Sequence, residues 1–407
     1  MYLKLAWRNI WRNRRRSFIT IFSITFAVLL ACVMRSMQLG SYERMISNSA
    51  QFFTGYIQVH NNGFWDDKTV DNSMPHDTQL LELIANTEGV DAVVPRVESF
   101  ALASFGSKTK GSMVLGIDPD EEDKLTQARS KLIEGEYLED SDKAVLVGEG
   151  LAEYLKIGIG DTLVLIGQGY HGANAAGIYP IKGILEFPLP VQNDQMVYLP
   201  LEEGKWFYNL EGQLTTVAMV VEKAKDVDRI VGEITTQVDT SALEVMGWKD
   251  MMPELVQSIE IDSISGRVML WILYAVIGFG MFGTFLMMTA ERMYEFGVMM
   301  SVGMKRRVMQ FIIFLEMVLM SGIGVLAGTV ISLPILGFFY YNPIYMPDEM
   351  AESIEKFGVE AAYFFSLDPS IFYNQAWAIF IMAFVLGFYP LYVIQKLKPV
   401  EAMRESR

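Results

Sequence analysis

VMLWILYAVIGFGMFGTFLMMTA, from Val268 to Ala290, is a run of 23 residues without a charge. A run of about 20 apolar residues can cross the hydrocarbon core of a bilayer as a helix. Three more runs share this character: Phe18 to Met34, Val308 to Tyr341 with the single charge Glu316, and Ile371 to Ile394. Because backbone groups cannot stay unpaired in hydrocarbon, the sequence predicts four transmembrane helices.

The composition agrees with a membrane protein and excludes several other classes. The 407 residues are 51% hydrophobic, and the mean hydropathy of +0.25 is high for a soluble protein. A net charge of −15 argues against a nucleic-acid partner, which would require a basic face. Cys32 is the only cysteine, and the three histidines share no ligand spacing, so we expect neither a disulfide scaffold nor a metal site.

Charge is distributed unevenly along the chain. Residues 39–265 contain 37 acidic and 16 basic residues, whereas the rest contains 11 acidic and 17 basic residues. One strongly acidic block is therefore flanked by mildly basic, apolar sequence. This asymmetry predicts a polar domain inserted into a membrane protein.

The basic residues predict the orientation, because Lys and Arg are enriched on the cytoplasmic side of membrane proteins. Residues 1–17 carry six basic and no acidic residues, and 291–307 and 395–407 each carry four basic residues against two Glu. Residues 342–370 carry one basic residue against six acidic ones. Both termini and 291–307 are expected in the cytoplasm, with 39–265 and 342–370 outside.

The predicted fold class is therefore a polytopic α-helical membrane protein, with four transmembrane helices and a large α+β periplasmic domain between the first two. Proline cannot donate a backbone hydrogen bond, so the third helix is expected to break or end near Pro334. The predicted segments are a cytoplasmic amphipathic helix (1–17), helix 1 (18–38), the periplasmic domain (39–265), helix 2 (266–290), a cytoplasmic coupling loop (291–307), helix 3 (308–341), a short periplasmic loop (342–370), helix 4 (371–394) and a cytoplasmic tail (395–407).

Two features of the N-terminal region admit more than one interpretation. Arg15 to Ile19 resembles a twin-arginine export signal, and Leu29 to Cys32 resembles a lipobox. Three further spans with a consistent charge bias favour retention of the first span. Residues 1–17 have an apolar and a basic face, which predicts an interfacial helix. That helix either transmits motion to the first span or anchors the chain on acidic lipid.

The acidic block alternates strands and helices. We expect two small α+β halves with a β-rich insertion at about 118–210. Asp77 to Thr87 predicts a helix that starts with an Asp cap. The glycine-rich stretch 167–177 predicts a hairpin tip, since it lacks the Gly-Lys-Ser/Thr ending of a phosphate loop. No catalytic motif stands out, so an enzyme is the least favoured class.

The chain contains no G-x-x-x-x-G-K-[ST] motif. We therefore expect the chain itself to bind no cofactor. If ATP drives this protein, ATP and Mg must be held by a separate ATPase subunit. Residues 291–307 are the predicted docking element, a short helix whose apolar ridge enters a groove of that subunit. The alternative is a helix lying on lipid. The predicted docking residues are Glu295, Phe296, Gly297, Met299, Met300, Gly303 and Met304.

Several motifs carry a family resemblance. Three of them resemble the FtsX-like permease domain of MacB-type (type VII) ABC transporters: EFGVMMSVGMKRR at 295–307, FIIFLE at 311–316 and KPVEAMR at 398–404. Three others in the acidic block are similar to lipoprotein-releasing permeases of the Lol system: 116–122, 133–138 and 147–161.

The resemblance implies a mechanism of mechanotransmission in the bacterial inner membrane. Two permeases, either identical copies or paralogues, would bind two ATPase subunits. In Lol systems a lipoprotein enters between the spans and passes to a periplasmic chaperone. Large apolar side chains of the first two spans would line the lipid cavity: Phe22, Phe26, Leu30, Met34, Met269, Leu273, Val276 and Phe279.

Two other functions remain open at this point. The same resemblance is compatible with MacB-like tripartite export of small molecules or peptides. It is also compatible with FtsX-like transmembrane signalling to a cell-wall hydrolase.

The third span contains two further signals. Glu316 is a charge in apolar sequence, too far along the helix from Arg306 and Arg307 for a direct pair. We expect its partner on a neighbouring helix near the cytoplasmic surface. Gly324 and Gly328 form a G-x-x-x-G pair, which predicts close contact with another helix.

Overall fold

A computed structural model describes residues 2–12, 14–50, 54–187, 190–347 and 361–396. The longest stretches outside these residues are 348–360, in the predicted periplasmic loop, and 397–407, in the predicted tail. The chain divides into two compact units. The helical unit is drawn from 2–42, 259–345 and 362–396, and the α/β unit is built mainly from Glu43–Ser258.

The helices and strands are numbered here in chain order. The helices are α1 (Tyr2–Arg12), α2 (Arg14–Ser49), α3 (Thr78–Ala85), α4 (Pro119–Thr126), α5 (Glu149–Leu155), α6 (Pro190–Gln195), α7 (Leu201–Tyr208), α8 (Val227–Thr235), α9 (Trp248–Met251), α10 (Pro253–Glu291), α11 (Met293–Ser301), α12 (Arg306–Tyr341), α13 (Pro369–Leu386) and α14 (Phe388–Lys396). The strands are β1 (Ile57–Asn61), β2 (Met74–Pro75), β3 (Val90–Phe105), β4 (Lys108–Ile117), β5 (Leu132–Gly135), β6 (Val145–Gly148), β7 (Thr162–Gln168), β8 (Asn174–Leu185), β9 (Met196–Pro200), β10 (Gln213–Leu214), β11 (Thr216–Val221), β12 (Leu243–Gly247), β13 (Ile344–Tyr345) and β14 (Ala362–Tyr363).

Four helical stretches of the described residues are long and apolar enough to cross a membrane: α2, α10, α12, and α13 taken with α14. α2 and α10 have 36 and 39 residues and extend beyond the apolar runs of the sequence. α12 continues through Pro334 to Tyr341, so the predicted break is wrong. Proline is tolerated in such helices because neighbouring groups and small local adjustments can satisfy the freed backbone group.

The predicted close contact at the G-x-x-x-G pair is confirmed between α12 and α2. A Cβ atom at Gly324 would lie 2.8 Å from the Cβ of Ile24, and one at Gly328 would lie 2.7 Å from the Cβ of Val28. The hydroxyl of Thr25 donates a hydrogen bond of 3.1 Å to the Gly324 carbonyl. The backbones of α12 and α2 can approach this closely because Gly324 and Gly328 have no side chains.

The α/β unit is organised around one sheet, which contains ten strands among the described residues. Its order is β12-β1-β11-β3-β4-β9-β6-β8-β5, and β7 pairs with both β3 and β8. Strands of the two predicted halves and of the predicted β-rich segment thus share one hydrogen-bonded sheet. The predicted hairpin at 167–177 is confirmed by the pairing of β7 with β8, and Asp77 caps α3 as expected.

β3 connects the two parts of this sheet. It pairs with β11 up to Arg96 and with β4 from Arg96 onward. The guanidinium of Arg96 is fully buried and makes two hydrogen bonds to Glu122, of 2.8 and 2.7 Å, and one of 3.2 Å to Glu98. Burial opposes the charge on Arg96, but the two carboxylates raise its pKa above the usual range. The ion cluster fastens α4 to β3 where β3 changes partners.

Replacing Gly328 with Ala should lower the stability of the helical unit by about 1–3 kcal/mol, because the new methyl group collides with Val28. Gly322 in the same helix is the matched control, since a Cβ there meets no atom within 4 Å. Gly322→Ala should be neutral or stabilising by up to about 1 kcal/mol. Thermal unfolding in detergent measures both, and equal stabilities would contradict the packing described.

Candidate functional site

α11 lies between two long helices and is separated from each by a short break. Arg292 precedes it after the end of α10, and Gly303 and Lys305 lie between α11 and α12. Gly303 has a φ of +102°, a region that favours glycine. Its amide donates to the Met300 carbonyl at 3.0 Å, so the chain turns back at once into α12.

The inward face of α11 holds most of the predicted docking residues. Phe296 is 1% exposed and belongs to the core of the helical unit, and Gly297 is also buried. Met299, Met300 and Met304 are half-buried against the same core. The expectation of an exposed ridge at Phe296 is therefore wrong. Its apolar pattern arises because α11 must pack on its own bundle.

The outward face of α11 carries a different apolar row. Tyr294 is 50% exposed and Val302 is 84% exposed, with the half-buried Val298 between them. A spacing of four residues places the three on one side of the helix. Gly303 is exposed beside them. The sequence did not reveal this row because its three apolar residues are fewer than the four on the inward face.

The sequence predicts a partner for Glu316 on a neighbouring helix without naming it, and the structure shows that this partner is Arg292, which lies between α10 and α11. Its Nη1 atom donates to both carboxylate oxygens of Glu316, at 2.8 and 2.9 Å. The two side chains are only 4% and 3% exposed. Removing two charges from water is costly, and only close, hydrogen-bonded geometry offsets that cost. The pair therefore connects Arg292, just before α11, to Glu316 in the first half of α12.

Two outer ion pairs extend this contact to the N-terminal helices. Arg12 of α1 donates to Glu295 at 2.9 Å, and Arg16 of α2 lies 2.6 Å from Glu291. Both pairs are partly exposed, so each contributes about 0–1 kcal/mol. Glu295, a predicted docking residue, is thus engaged within the chain. Five helices, α1, α2, α10, α11 and α12, are thus connected by ion pairs at this end of the helical unit.

α1 divides its apolar residues between two environments. Ala6 and Ile10 are buried, and the ring of Tyr2 meets Phe311 of α12 edge-on at 5.9 Å. Trp7 and Trp11 remain exposed. The hydroxyl of Ser17 bonds to the Ile10 carbonyl at 2.8 Å and holds the corner between α1 and α2. α1 thus packs on the helical unit with one face and exposes the indole rings of Trp7 and Trp11 on the other.

The predicted lipid-contact residues lie mainly on uncovered helix faces. Phe22 and Phe26 are exposed on α2 and stack in a row, with ring centroids 6.4 Å apart. Phe279 is 78% exposed on α10. The other five predicted lipid-contact residues are exposed or half-buried. Leu30, Met269 and Val276 are exposed, and Met34 and Leu273 are half-buried.

α10 is the least covered of the apolar helices. Only 17% of its most apolar stretch is buried, against 44% for α2 and for α12. Near its end, Thr284 and Met287 face Ile19 and Thr20 of α2 across a groove of about 80 Å³. That groove is too small for a drug-sized ligand, whose pockets measure about 300–1,000 Å³. The exposed apolar sides of α10 and α2 are a more extensive feature than this groove.

Two family models cover most of the chain. The MacB-like periplasmic core domain matches residues 17–237, more than half of the chain, and the FtsX-like permease C-terminal domain matches 267–399. The chain belongs to the MacB- and FtsX-like permease family. The second match includes α11, the buried ion pair and all of α12.

Similar proteins extend over nearly the full length of this permease. The lipoprotein-releasing system transmembrane protein LolC of Neisseria meningitidis is 20% identical, over 97% of this chain and 95% of the relative. LolC of Xylella fastidiosa is 22% identical over 81% of each chain. An uncharacterised ABC transporter permease of Methanocaldococcus jannaschii is 22% identical over 99% of this chain and 97% of the relative. The chain is thus an ABC transporter permease of the MacB, FtsX and LolC type.

In this permease, Arg292→Met should lower the free energy of unfolding by about 3–5 kcal/mol, because Glu316 would remain buried without its partner. The double variant Arg292→Met with Glu316→Met should recover most of that loss. Arg16→Met is the matched control, since it breaks only a partly exposed pair with Glu291. Thermal unfolding in detergent compares the three, and an Arg292 variant no weaker than the Arg16 control would contradict the role assigned to the pair.

Proposed function

We propose that this permease extracts lipoproteins from the bacterial inner membrane and passes them to a periplasmic chaperone, using ATP hydrolysis by a separate ATPase subunit. Both termini and α11 lie in the cytoplasm, and the α/β unit between the first two spans lies in the periplasm. Two ATPase subunits and a second permease, either a copy or a paralogue, complete the complex. The distribution of Lys and Arg supports this orientation.

The observation that carries the proposal is the fixed position of α11. The buried Arg292–Glu316 pair holds the helix against α12, while Tyr294, Val298 and Val302 face outward. An apolar row on a short helix suits a groove on another protein. Because the chain itself lacks a phosphate-binding motif, an ATPase subunit is the partner that this surface serves.

Docking at this position would deliver motion directly into the bundle. The ATPase would contact the outward face of α11, and the inward face bears on the core through Phe296 and the adjacent methionines. Methionine side chains are flexible and adapt to shifted neighbours. Through the ion pair, displacement of α11 reaches α12, which contacts α2 at Gly324 and Gly328.

The uncovered faces of α2 and α10 support a lipid-linked cargo. The stacked rings of Phe22 and Phe26 on α2 and the exposed ring of Phe279 on α10 each present apolar surface. Acyl chains gain about 0.8 kcal/mol for each CH₂ group removed from water, so such surface suits them. The sparse coverage of α10 also leaves room for the second permease, which would complete a cavity that one chain does not enclose.

Val302→Asp should weaken binding of the ATPase subunit by roughly tenfold, since a charge in an apolar interface costs at least about 1–2 kcal/mol. Stability should be unchanged, because Val302 is exposed. Val302→Thr is the conservative control and should retain binding. Met299→Asp should instead lower thermal stability, since Met299 packs on the core. Retention of the ATPase at wild-type affinity by Val302→Asp would place docking elsewhere.

Phe26→Asn and Phe279→Asn should each reduce lipoprotein release while leaving basal ATP hydrolysis intact, because a polar wall forfeits part of the acyl-chain transfer energy. Leu326→Asn is the matched control, an equally apolar and 68% exposed site on α12. The measurement is release from spheroplasts to a periplasmic acceptor.

Equal effects at all three sites would indicate general contact with lipid instead of cargo. Normal release in both Phe variants, with no crosslink from either position to a lipoprotein, would remove the support for extraction. Export of small molecules or peptides in the MacB manner, or FtsX-like signalling to a cell-wall hydrolase, would then become the better proposal.

A further inference from the structure

A cavity in the α/β unit lies between the chain that follows β1 and the strands β3 and β7. Its volume is about 480 Å³, which falls within the range of about 300–1,000 Å³ for small-molecule pockets. One wall consists of residues 65–71, and the other includes Ser99 and Phe100 of β3 and Gln168 at the end of β7. All of these residues belong to the same unit. The cavity is thus large enough for a small organic molecule.

The wall formed by residues 65–71 is anchored at both ends. Phe64 precedes it and is fully buried, and Val70 near its other end is also buried. The Asp71 carboxylate accepts a hydrogen bond of 2.6 Å from the backbone amide of His171. The chain itself therefore holds the wall in place, which lowers the entropic cost of binding a ligand there.

Two aromatic rings line the cavity. Trp65 is half-buried, and Phe100 is 50% exposed. The ring of the fully buried His60 packs nearly parallel to the Trp65 indole, with ring centroids 6.2 Å apart. The indole thus rests on a fixed neighbour. The faces of indole rings attract cations, because the π electrons make them electrically negative.

The Trp65 ring already holds a cation of its own chain. The Lys68 ammonium lies 3.5 Å from the ring centroid, well inside the distance of about 6 Å for a cation–π contact. Burial lowers the pKa of Lys68 below its usual value, and the carboxylate of Glu98 opposes this shift. Movement of Lys68 into water would relieve the cost of its burial, and Glu98 would keep its 3.2 Å hydrogen bond from Arg96. Another cation can therefore displace Lys68.

The charge around the cavity also favours a cation. Among the described residues, its lining contains three carboxylates, those of Asp66, Asp67 and Asp71, and one ammonium, that of Lys68. Asp66 and Asp67 are exposed, and no hydrogen bond or ion pair engages their carboxylates within the part of the chain that the structure describes. Both carboxylates are thus available to a positively charged ligand.

We infer that this cavity binds a small organic cation, an amine or a quaternary ammonium that carries an apolar group. The ligand's ammonium replaces Lys68 on the face of Trp65, Asp66 and Asp67 offset its charge, and its apolar group packs on Phe100. Lys68 acts as a tethered competitor for the ring. The inference goes beyond the proposed function, because binding requires neither cargo nor an ATPase subunit and can be measured on the permease alone.

Titration calorimetry on the full-length permease, in nanodiscs of phosphatidylcholine, tests the selectivity for a cation. Phenethylamine should bind about tenfold more tightly than phenethyl alcohol, which has the same ring and no charge, because only the amine gains the contact with Trp65. Empty nanodiscs give the background. Equal binding of the two compounds would overturn the inference.

A third compound separates a free amine from a side chain of a partner protein. N-acetyl-lysine methylamide presents the lysine side chain as a peptide does, and it should bind more weakly than phenethylamine because it has no ring to pack on Phe100. Tighter binding of the lysine compound would overturn the assignment to a small molecule.

Lys68→Met should raise the affinity for phenethylamine by about fivefold, because the tethered competitor is removed and the indole remains. Lys223→Met is the matched control, since it removes the same charge from an exposed site outside the cavity. Weaker binding by Lys68→Met would show that the lysine holds the ligand, as it would hold an anion, and would overturn the inference.

Trp65→Leu should weaken the binding of phenethylamine by about fivefold, whereas Trp206→Leu, at a 66% exposed site outside the cavity, should not. Asp66→Asn combined with Asp67→Asn should also weaken binding, and both sites are exposed, so the fold is retained. Thermal unfolding checks each variant, and the Asp and Lys68 variants decide if Trp65→Leu does not fold. Equal binding by the two Trp variants, or no binding to either the wild type or Lys68→Met, would refute a cation site here.

Discussion

Both oxygens of Glu316 accept hydrogen bonds from one nitrogen of Arg292, at a place in the bundle where water reaches neither side chain. Removing either partner would leave an uncompensated charge in an apolar setting, which costs several kcal/mol. The pair therefore confines α11 to a single position on α12. The outer pairs of Arg12 and Arg16 gather α1 and α2 around the same point.

That constraint explains how so short a helix keeps a single orientation. α11 has nine residues, and an isolated helix of this length is marginal in water. Here its inward face supplies core contacts through Phe296, while the ion pair determines its rotation about its own axis. The outward row at Tyr294 and Val302 is consequently presented in one orientation. A partner that docks there meets a surface that is already ordered, which lowers the entropic cost of binding.

Like α11, the long helices α2 and α10 have both packed and exposed sides. One side of α2 is packed on α12 through Gly324 and Gly328, and another side carries the exposed rings of Phe22 and Phe26. α10 has little cover along its apolar stretch and is held to α2 by polar contacts at Gln38 and Tyr42. Both helices therefore keep apolar side chains exposed, among them Phe22 and Phe26 on α2 and Phe279 on α10.

The sequence by itself determined the features that depend on local patterns: the four apolar helices, the hairpin at 167–177, the Asp77 cap and the glycine contact on α12. Length, periodicity and capping chemistry depend on residues close together in the chain, so they can be recognised in the sequence before the fold is known. Tertiary structure alone decided which face of α11 is free, that Arg292 is the partner of Glu316, and that α12 continues through Pro334. Apolar residues such as Phe296 have the same pattern whether they pack on their own bundle or on a partner. Only the positions of distant helices decide between the two, because burial and ion pairing depend on residues far apart in sequence.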